Sequence, residues 1–270
     1  MTICIFHANC ADGFGAAWVV RKAFGEIDFH PGKYQEPPPD VTGKDVVMVD
    51  FSYKRPVLLE MAEKANSILI LDHHKTAAED LLDLPANVTA KFDMDRSGAM
   101  LTWEHFFPGE APPPLLLHIE DRDLWRFALQ NTRQIQANVF SFPYDFQVWD
   151  TLMAAAPAAL AADGEAIERK HFKDIRELLG VTTREMVIGG HRVPVANLPY
   201  TMSSDAGHEM AKGRPFAACY WDTPEGRVFS LRSNDEGVDV SEVAKQYGGG
   251  GHRNASGFTV SFAAATAFEV

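Results

Sequence analysis

Ser67-Ile68-Leu69-Ile70-Leu71 runs directly into Asp72-His73-His74. An apolar run of this length, β-branched and leucine-rich and closing on polar residues, reads as a buried parallel strand. In open α/β sheets ligands bind off the carboxyl ends of such strands. A carboxylate and imidazoles placed there suit a metal. The pattern recurs in Thr2-Ile3-Cys4-Ile5-Phe6, which ends in His7 and leads through Asn9 and Cys10 to Asp12-Gly13, and again in Val46-Val47-Met48-Val49, which ends in Asp50. A further polar cluster, Glu120-Asp121-Arg122-Asp123, closes the apolar segment Leu115 to Ile119. A parallel sheet puts its strand C-termini on one edge, so His7, Asp12, Asp50, Asp72 and His73 converge there, with Asp121 or Asp123 delivered by a helix. That is a dinuclear metal site in outline.

Working outward, the first 125 residues or so alternate strand, loop and helix, as in an α/β doubly wound, mostly parallel sheet with helices on both faces. Strands are expected near 2–7, 27–30, 45–50, 67–72 and 88–93, and helices at 13–24, 55–65 and 97–107, the last opened by Ser97 as N-cap. The aromatic-rich stretch from Trp125 to Trp149 reads first as core, although such rings can also stack bases. A charged amphipathic connector helix around Glu165 to Lys170 stops near Gly180. The expected division is therefore 1–152, a connector at 153–184, and a smaller mixed α/β domain at 185–270. In that last part the run Gly248-Gly249-Gly250-Gly251-His252-Arg253 sits between an apolar helix and a strand. Consecutive glycines can turn backbone N–H groups inward as an anion nest, to which His252 and Arg253 add donors.

Net charge of −12 over 270 residues argues against gripping long nucleic acid along many phosphates, so an anionic partner should be short. The same acidity fits carboxylates gathered in a pocket that divalent cations neutralise. No apolar run approaches the ~20 residues of a membrane span, and the N-terminus enters a strand without a basic, apolar signal, so a cytoplasmic location is expected. Cys4, Cys10 and Cys219 lack zinc-ligand spacing and read as reduced thiols.

Taken together, His7…Asp12-Gly13, Asp50, Asp72-His73-His74, Asp121-Arg122-Asp123 and Gly249-Gly250-Gly251-His252 resemble the DHH phosphoesterase superfamily with its DHH-associated C-terminal domain, over essentially the whole chain and in order. The resemblance implies a catalytic domain at 1–152, a substrate-binding domain at 185–270 and an active site in the cleft between them. It also implies two divalent cations, usually Mn²⁺ with Mg²⁺ as substitute, and hydrolysis of phosphodiester or phosphoanhydride bonds. By position, His7 and Asp12 would hold one cation, Asp50 would bridge, and His73 with Asp121 would hold the other, Asp123 being the alternative. Asp72 would orient its neighbours and His74 would lie near the reacting phosphate. Gly249, Gly250, Gly251, His252 and Arg253, with Arg232 and Ser233, would contact the substrate. One departure stands out, because the family's first motif carries two aspartates one residue apart and this chain has only Asp12. The missing partner falls on Phe14 or on Cys10; in the second case Asp12 serves the other cation. Asn9 could compensate, and one metal site is expected to be weak.

Carboxylate oxygen with neutral imidazole suits Mn²⁺ and Mg²⁺ better than zinc. The function expected is a metal-dependent phosphodiesterase for di- to pentanucleotides or linear dinucleotides of the pGpG type, releasing mononucleotides, with no long duplex and no membrane as partner. The alternatives are an exopolyphosphatase- or pyrophosphatase-like anhydride hydrolase and a non-catalytic nucleotide-binding regulator.

Overall fold

The computed structural model describes residues 1–34 and 36–269 and divides into two compact units, Met1–Glu168 and Arg169–Val270. In the first, β1 (Thr2–His7), α1 (Ala11–Phe24), β2 (Asp28–Gly32), β3 (Asp45–Val49), α2 (Arg55–Ala62), β4 (Ser67–Asp72), α3 (Lys75–Asp80), β5 (Val88–Phe92) and α4 (Gly98–Phe106) follow the expected alternation. Helices α5 (Pro114–Asp123), α6 (Thr132–Val139) and α7 (Phe146–Ala154) come next, and α8 (Pro157–Thr182) runs across the division. The five strands pair in parallel in the order β2-β1-β3-β4-β5. The chain thus winds outward both ways from β1 and β3, and the carboxyl ends at that switch point form a ligand crevice.

Period-two alternation explains why both sheet faces are covered. Cys4, Phe6, Val47, Val49 and Leu71 face one side and pack with α1, α4 and α5 residues such as Val19, Leu101 and Leu116. Ile3, Ile5, Val46, Met48, Ile68 and Ile70 face the other, against Leu58 and Met61 of α2. Ser97 caps α4, its hydroxyl accepting from Met100 N. Much of the aromatic stretch is core: Trp149 is fully buried and Phe14 packs on Phe146 and Trp149. Phe140, Phe142 and Tyr144 are exposed.

The second unit carries β6 (Thr183–Ile188), β7 (His191–Asn197), α9 (Ser203–Met210), β8 (Ala217–Thr223), β9 (Gly226–Arg232), α10 (Val240–Lys245), β10 (Gly250–Gly251), β11 (Ala255–Val260) and α11 (Phe262–Ala265). Its mixed sheet runs β10-β11-β9-β8-β7-β6, with β7 and β8 parallel and the other pairs antiparallel. Among the described residues no helix is long and apolar enough to cross a membrane.

Part of the glycine run closes on itself. Gly248 N donates to Lys245 O and Gly249 N to Ala244 O, ending α10, while His252 N donates to Ala255 O across the following turn. Those N–H groups are spent inside the loop. Glycine is required there by close approach: a Cβ on Gly249 would lie 2.0 Å from Gly257 O.

Candidate metal centre

The carboxyl ends of β1, β3 and β4 bring His7, Asp50, Asp72, His73 and His74 to one place, and α1 adds Asp12. Asp50 is at the middle. Its Oδ1 lies 3.1 Å from His73 Nε2, and its Oδ2 lies 3.5 Å from His7 Nδ1. Asp50 has a left-handed φ of 53°, which re-aims its side chain at the end of β3, and Gly98 leaves room for it. A Cβ on Gly98 would stand 2.4 Å from Asp50 Cβ.

Around His73 Nε2 stand two more carboxylates, Asp123 Oδ2 at 3.5 Å and Asp12 Oδ2 at 3.7 Å. Asp12 is fixed by the first turn of α4, accepting from Gly98 N and Ala99 N. Asp72, fully buried, holds the His73 backbone and the His74 ring: its Oδ1 accepts from His73 N at 2.8 Å and meets His74 Nδ1 at 2.7 Å, and its Oδ2 accepts from Ser52 Oγ. Such a carboxylate fixes the tautomer and leaves Nε2 of His74 as donor nitrogen. Two sets of donor atoms result, Asp12–Asp50–His73 and His7–Asp50–His74, each lying within 4.8 Å of one another. They share Asp50.

Electrostatics shows what this cluster lacks. Burial, then Asp50 and Asp123, push the Asp12 carboxyl well above its ordinary pKa, and burial raises that of Asp123. Burial alone would lower His73, but Asp50, Asp123 and Asp12 more than offset it and hold the imidazolium well above the usual range. Burial would raise Asp50, yet His7 and His73 pull it well below. Buried Asp50 Oδ2 finds no hydrogen-bond partner among the described residues. Three carboxylates crowding one imidazole, with an unsatisfied oxygen among them, fit a divalent cation, and the hard oxygen and imidazole donors fit Mn²⁺ or Mg²⁺.

The geometry departs from two expectations and bears on a third point left open. Asp121 does not join the cluster: its carboxylate accepts from Ala128 N, Leu129 N and Thr132 Oγ1. Residues two apart on a helix face different ways, so α5 can aim only one of the two aspartates at His73, and it aims Asp123. His7 and Asp12 do not share a donor set: His7 groups with His74, and Asp12 with His73. Phe14 is locked among buried aromatics, whereas Cys10 stands at the N-cap of α1, where desolvation and then Asp50, Asp123 and Asp12 push its thiol pKa well up. Of the two positions, only Cys10 stands close enough to feel the carboxylates of the cluster. Asn9 lies exposed in the left-handed turn before it.

In the second unit, Ser233 is fully buried and donates to Arg253 O, so it is no substrate contact as placed. Arg253 donates to Asp235 O and Gly237 O, and Arg232 to Ser230 Oγ, Leu231 O and Ser204 Oγ. Residues not singled out from sequence are Ser52, Gly98 and Tyr34, whose ring lies 5.6 Å from that of His7. Ser52 and Gly98 had local signals, since one follows Asp50-Phe51 and the other the N-cap Ser97.

No family model matches the chain. It is 31% identical to the uncharacterized protein R106 of Acanthamoeba polyphaga mimivirus over 96% of this chain and 67% of that protein, which makes the two members of one family. Among solved structures it resembles the DHH domain of PF0399, with a TM-score of 0.60 at 13% identity, covering 100% of this chain and 87% of that one. The chain has the fold of a DHH domain. Two further DHH-fold neighbours are RecJ of Thermus thermophilus in complex with Mn²⁺ (TM-score 0.55, 16% identity, 99% of this chain and 50% of that one) and the pGpG-specific phosphodiesterase PggH of Vibrio cholerae (0.50, 13%, 98% and 95%). At these identities the likeness shows the shared DHH fold.

Proposed function

We propose that this DHH-fold protein is a metal-dependent phosphodiesterase that cuts short oligonucleotides or linear dinucleotides to mononucleotides. The observation that carries the reading is the pair of donor sets hinged on Asp50. Asp12, His73 and Asp123 with Asp50 would hold one cation, and His7 and His74 with Asp50 the other. Two divalent cations supply an activated water and neutralise phosphate charge. The chain's own part is positioning. Asp72 locks the His73–His74 backbone and the His74 ring, and the Gly98 and Ala99 N–H groups lock Asp12. Such held donors cost little reorganisation when a phosphate arrives.

Substrate length rests on charge and on analogy. A chain of net charge −12 favours a ligand with few phosphates. Of the fold neighbours, one is a pGpG-specific phosphodiesterase and another was solved with Mn²⁺. In the second unit His252 and exposed Arg253 are the groups proposed to meet a phosphate.

The test is product analysis with Mn²⁺ against 5′-phosphorylated oligomers of two to ten nucleotides, with polyphosphate and pyrophosphate alongside. Mononucleotide release from the shortest oligomers, lost in Asp50→Ala, is the expected result. Phosphate release from polyphosphate alone would move the assignment to the anhydride class. Binding without turnover would make the chain a nucleotide-binding regulator.

A further inference from the structure

Immediately after Asp123 the chain makes a loop that the metal centre does not explain. Trp125 and Phe127 both have left-handed backbone, at φ 56° and 48°, as does Asn131 at 67°. Bulky aromatic residues rarely adopt that conformation, and its occurrence twice in three residues calls for a reason. Asp121 enforces it: its carbonyl accepts from Arg126 N and Phe127 N, and its carboxylate accepts from Ala128 N, Leu129 N and Thr132 Oγ1.

The enforced shape gathers rings and guanidinium groups into one cluster. Arg122 lies 4.7 Å from the Phe140 ring centre and 5.6 Å from that of Trp125; Arg133 lies 5.7 Å from Trp125 and 3.6 Å from Phe127. Trp125 and Phe127 meet edge to face, their ring centroids 4.9 Å apart. Phe140 is 46% exposed at one end, and at the other Phe127 and Arg133 line a cleft of about 180 Å³. The sequence from Arg122 to Arg133 carries three arginines and one acidic residue, Asp123, in a chain that is acidic overall. Asp123, which faces His73, follows Arg122 directly in the chain.

We propose that this cluster is a nucleobase platform, taking by stacking the bases of a single-stranded oligonucleotide whose scissile phosphate lies at the metal centre; the inference rests on the phosphodiesterase reading. Aromatic faces and guanidinium planes stack any base, and the guanidinium edges suit the intervening phosphates. The platform makes the enzyme a reader of nucleotides instead of a general phosphate hydrolase. It discriminates against polyphosphate, which has nothing to stack, and tolerates any base sequence.

Calorimetric titration of the full chain, with Ca²⁺ in place of Mn²⁺, tests this using a 5′-phosphorylated trinucleotide and the same chain made abasic at each position in turn. Loss of one base should weaken binding about tenfold or more at one position. In Phe140→Ala and in Arg133→Gln, both at accessible ends of the cluster, that factor should fall toward one. Tryptophan fluorescence gives a second readout: quenching by the trinucleotide should be lost in Trp125→Phe. Equal affinity for base-bearing and abasic chains, or an undiminished base effect in both variants, overturns the platform. Base-dependent binding with no turnover of any oligomer in Mn²⁺ would sink the phosphodiesterase reading and leave the platform standing, whereas turnover blind to bases would do the reverse.

Discussion

Two aspartates separated by Arg122 have opposite jobs, and the difference is testable. Asp123 faces His73 Nε2, while Asp121 ties down the loop that follows. Asp123→Ala should weaken Mn²⁺ binding about tenfold or more, as measured by calorimetry. Asp121→Ala should keep the cation but lower unfolding free energy by about 1–3 kcal/mol, because loop donors lose their acceptor. Loss of Mn²⁺ binding only in the Asp121 variant would reverse the assignment. Cys10 offers a second contrast, since its thiol stands at the start of α1 and feels Asp50, Asp123 and Asp12. Wild type should bind one Mn²⁺ tightly and a second weakly, and Cys10→Asp should tighten the second about tenfold. Two tight, equal sites in the wild type would rule this out. Residue identity made most of the cluster legible in the sequence, because His7, Asp50, Asp72, His73 and His74 each follow an apolar strand. The choice between Asp121 and Asp123 was not legible, since it depends on the rotation of α5, which spacing alone does not fix.

The strands and helices that frame the cluster were readable for the same physical reason that they are stable. Alternate side chains of β1, β3 and β4 fill two separate cores, so each strand is apolar on both faces between its ends and stands out in sequence. Strand β7 was hidden by Pro194, which argues against an interior strand; its pairing to β8 begins only at Val195, past the proline. The glycine run is ambiguous in sequence, because glycine serves a close backbone approach as readily as an anion nest. Helix α4 shows how an element, and not a ligand, can set the site. Its first turn binds Asp12 and its first residue, Gly98, makes room for Asp50. Gly98→Ala should therefore displace Asp50 and cost about 1–3 kcal/mol of stability by overpacking, with a larger proportional loss of Mn²⁺ affinity than of melting temperature. An alanine variant with wild-type metal affinity would show that α4 yields instead.

Across the first unit as a whole, the buried cluster couples folding to protons and to metal. In the metal-free chain Asp12, Asp123, His73 and His74 all have pKa values raised above their unfolded ones, burial being the leading cause for the acids, whereas for the histidines neighbouring carboxylates overcome it. A raised folded pKa means that the native state holds protons which the unfolded chain has released. The stability so gained is full below the unfolded pKa and is lost as pH climbs through the folded one. Asp50, held low, works in the opposite direction, but its contribution is lost only as pH falls below the ordinary carboxylate range. Burial lowers His30, His105 and His118, which works the other way only up to the ordinary histidine range, so above it, from about pH 7 to 8, metal-free protein should melt at falling temperature as pH rises. A divalent cation needs the same donors deprotonated, so its benefit should grow over that interval. At a hundredfold excess over its dissociation constant, Mn²⁺ should add about 2.7 kcal/mol, or roughly 5–10 °C in melting temperature. Asp50→Ala removes the oxygen pair common to both donor sets and should abolish that increment at every pH. Scanning calorimetry of both proteins at pH 6, 7 and 8, with and without Mn²⁺, decides the matter: an increment that is independent of pH, or that survives in Asp50→Ala, would mean that the cation binds elsewhere on this acidic chain.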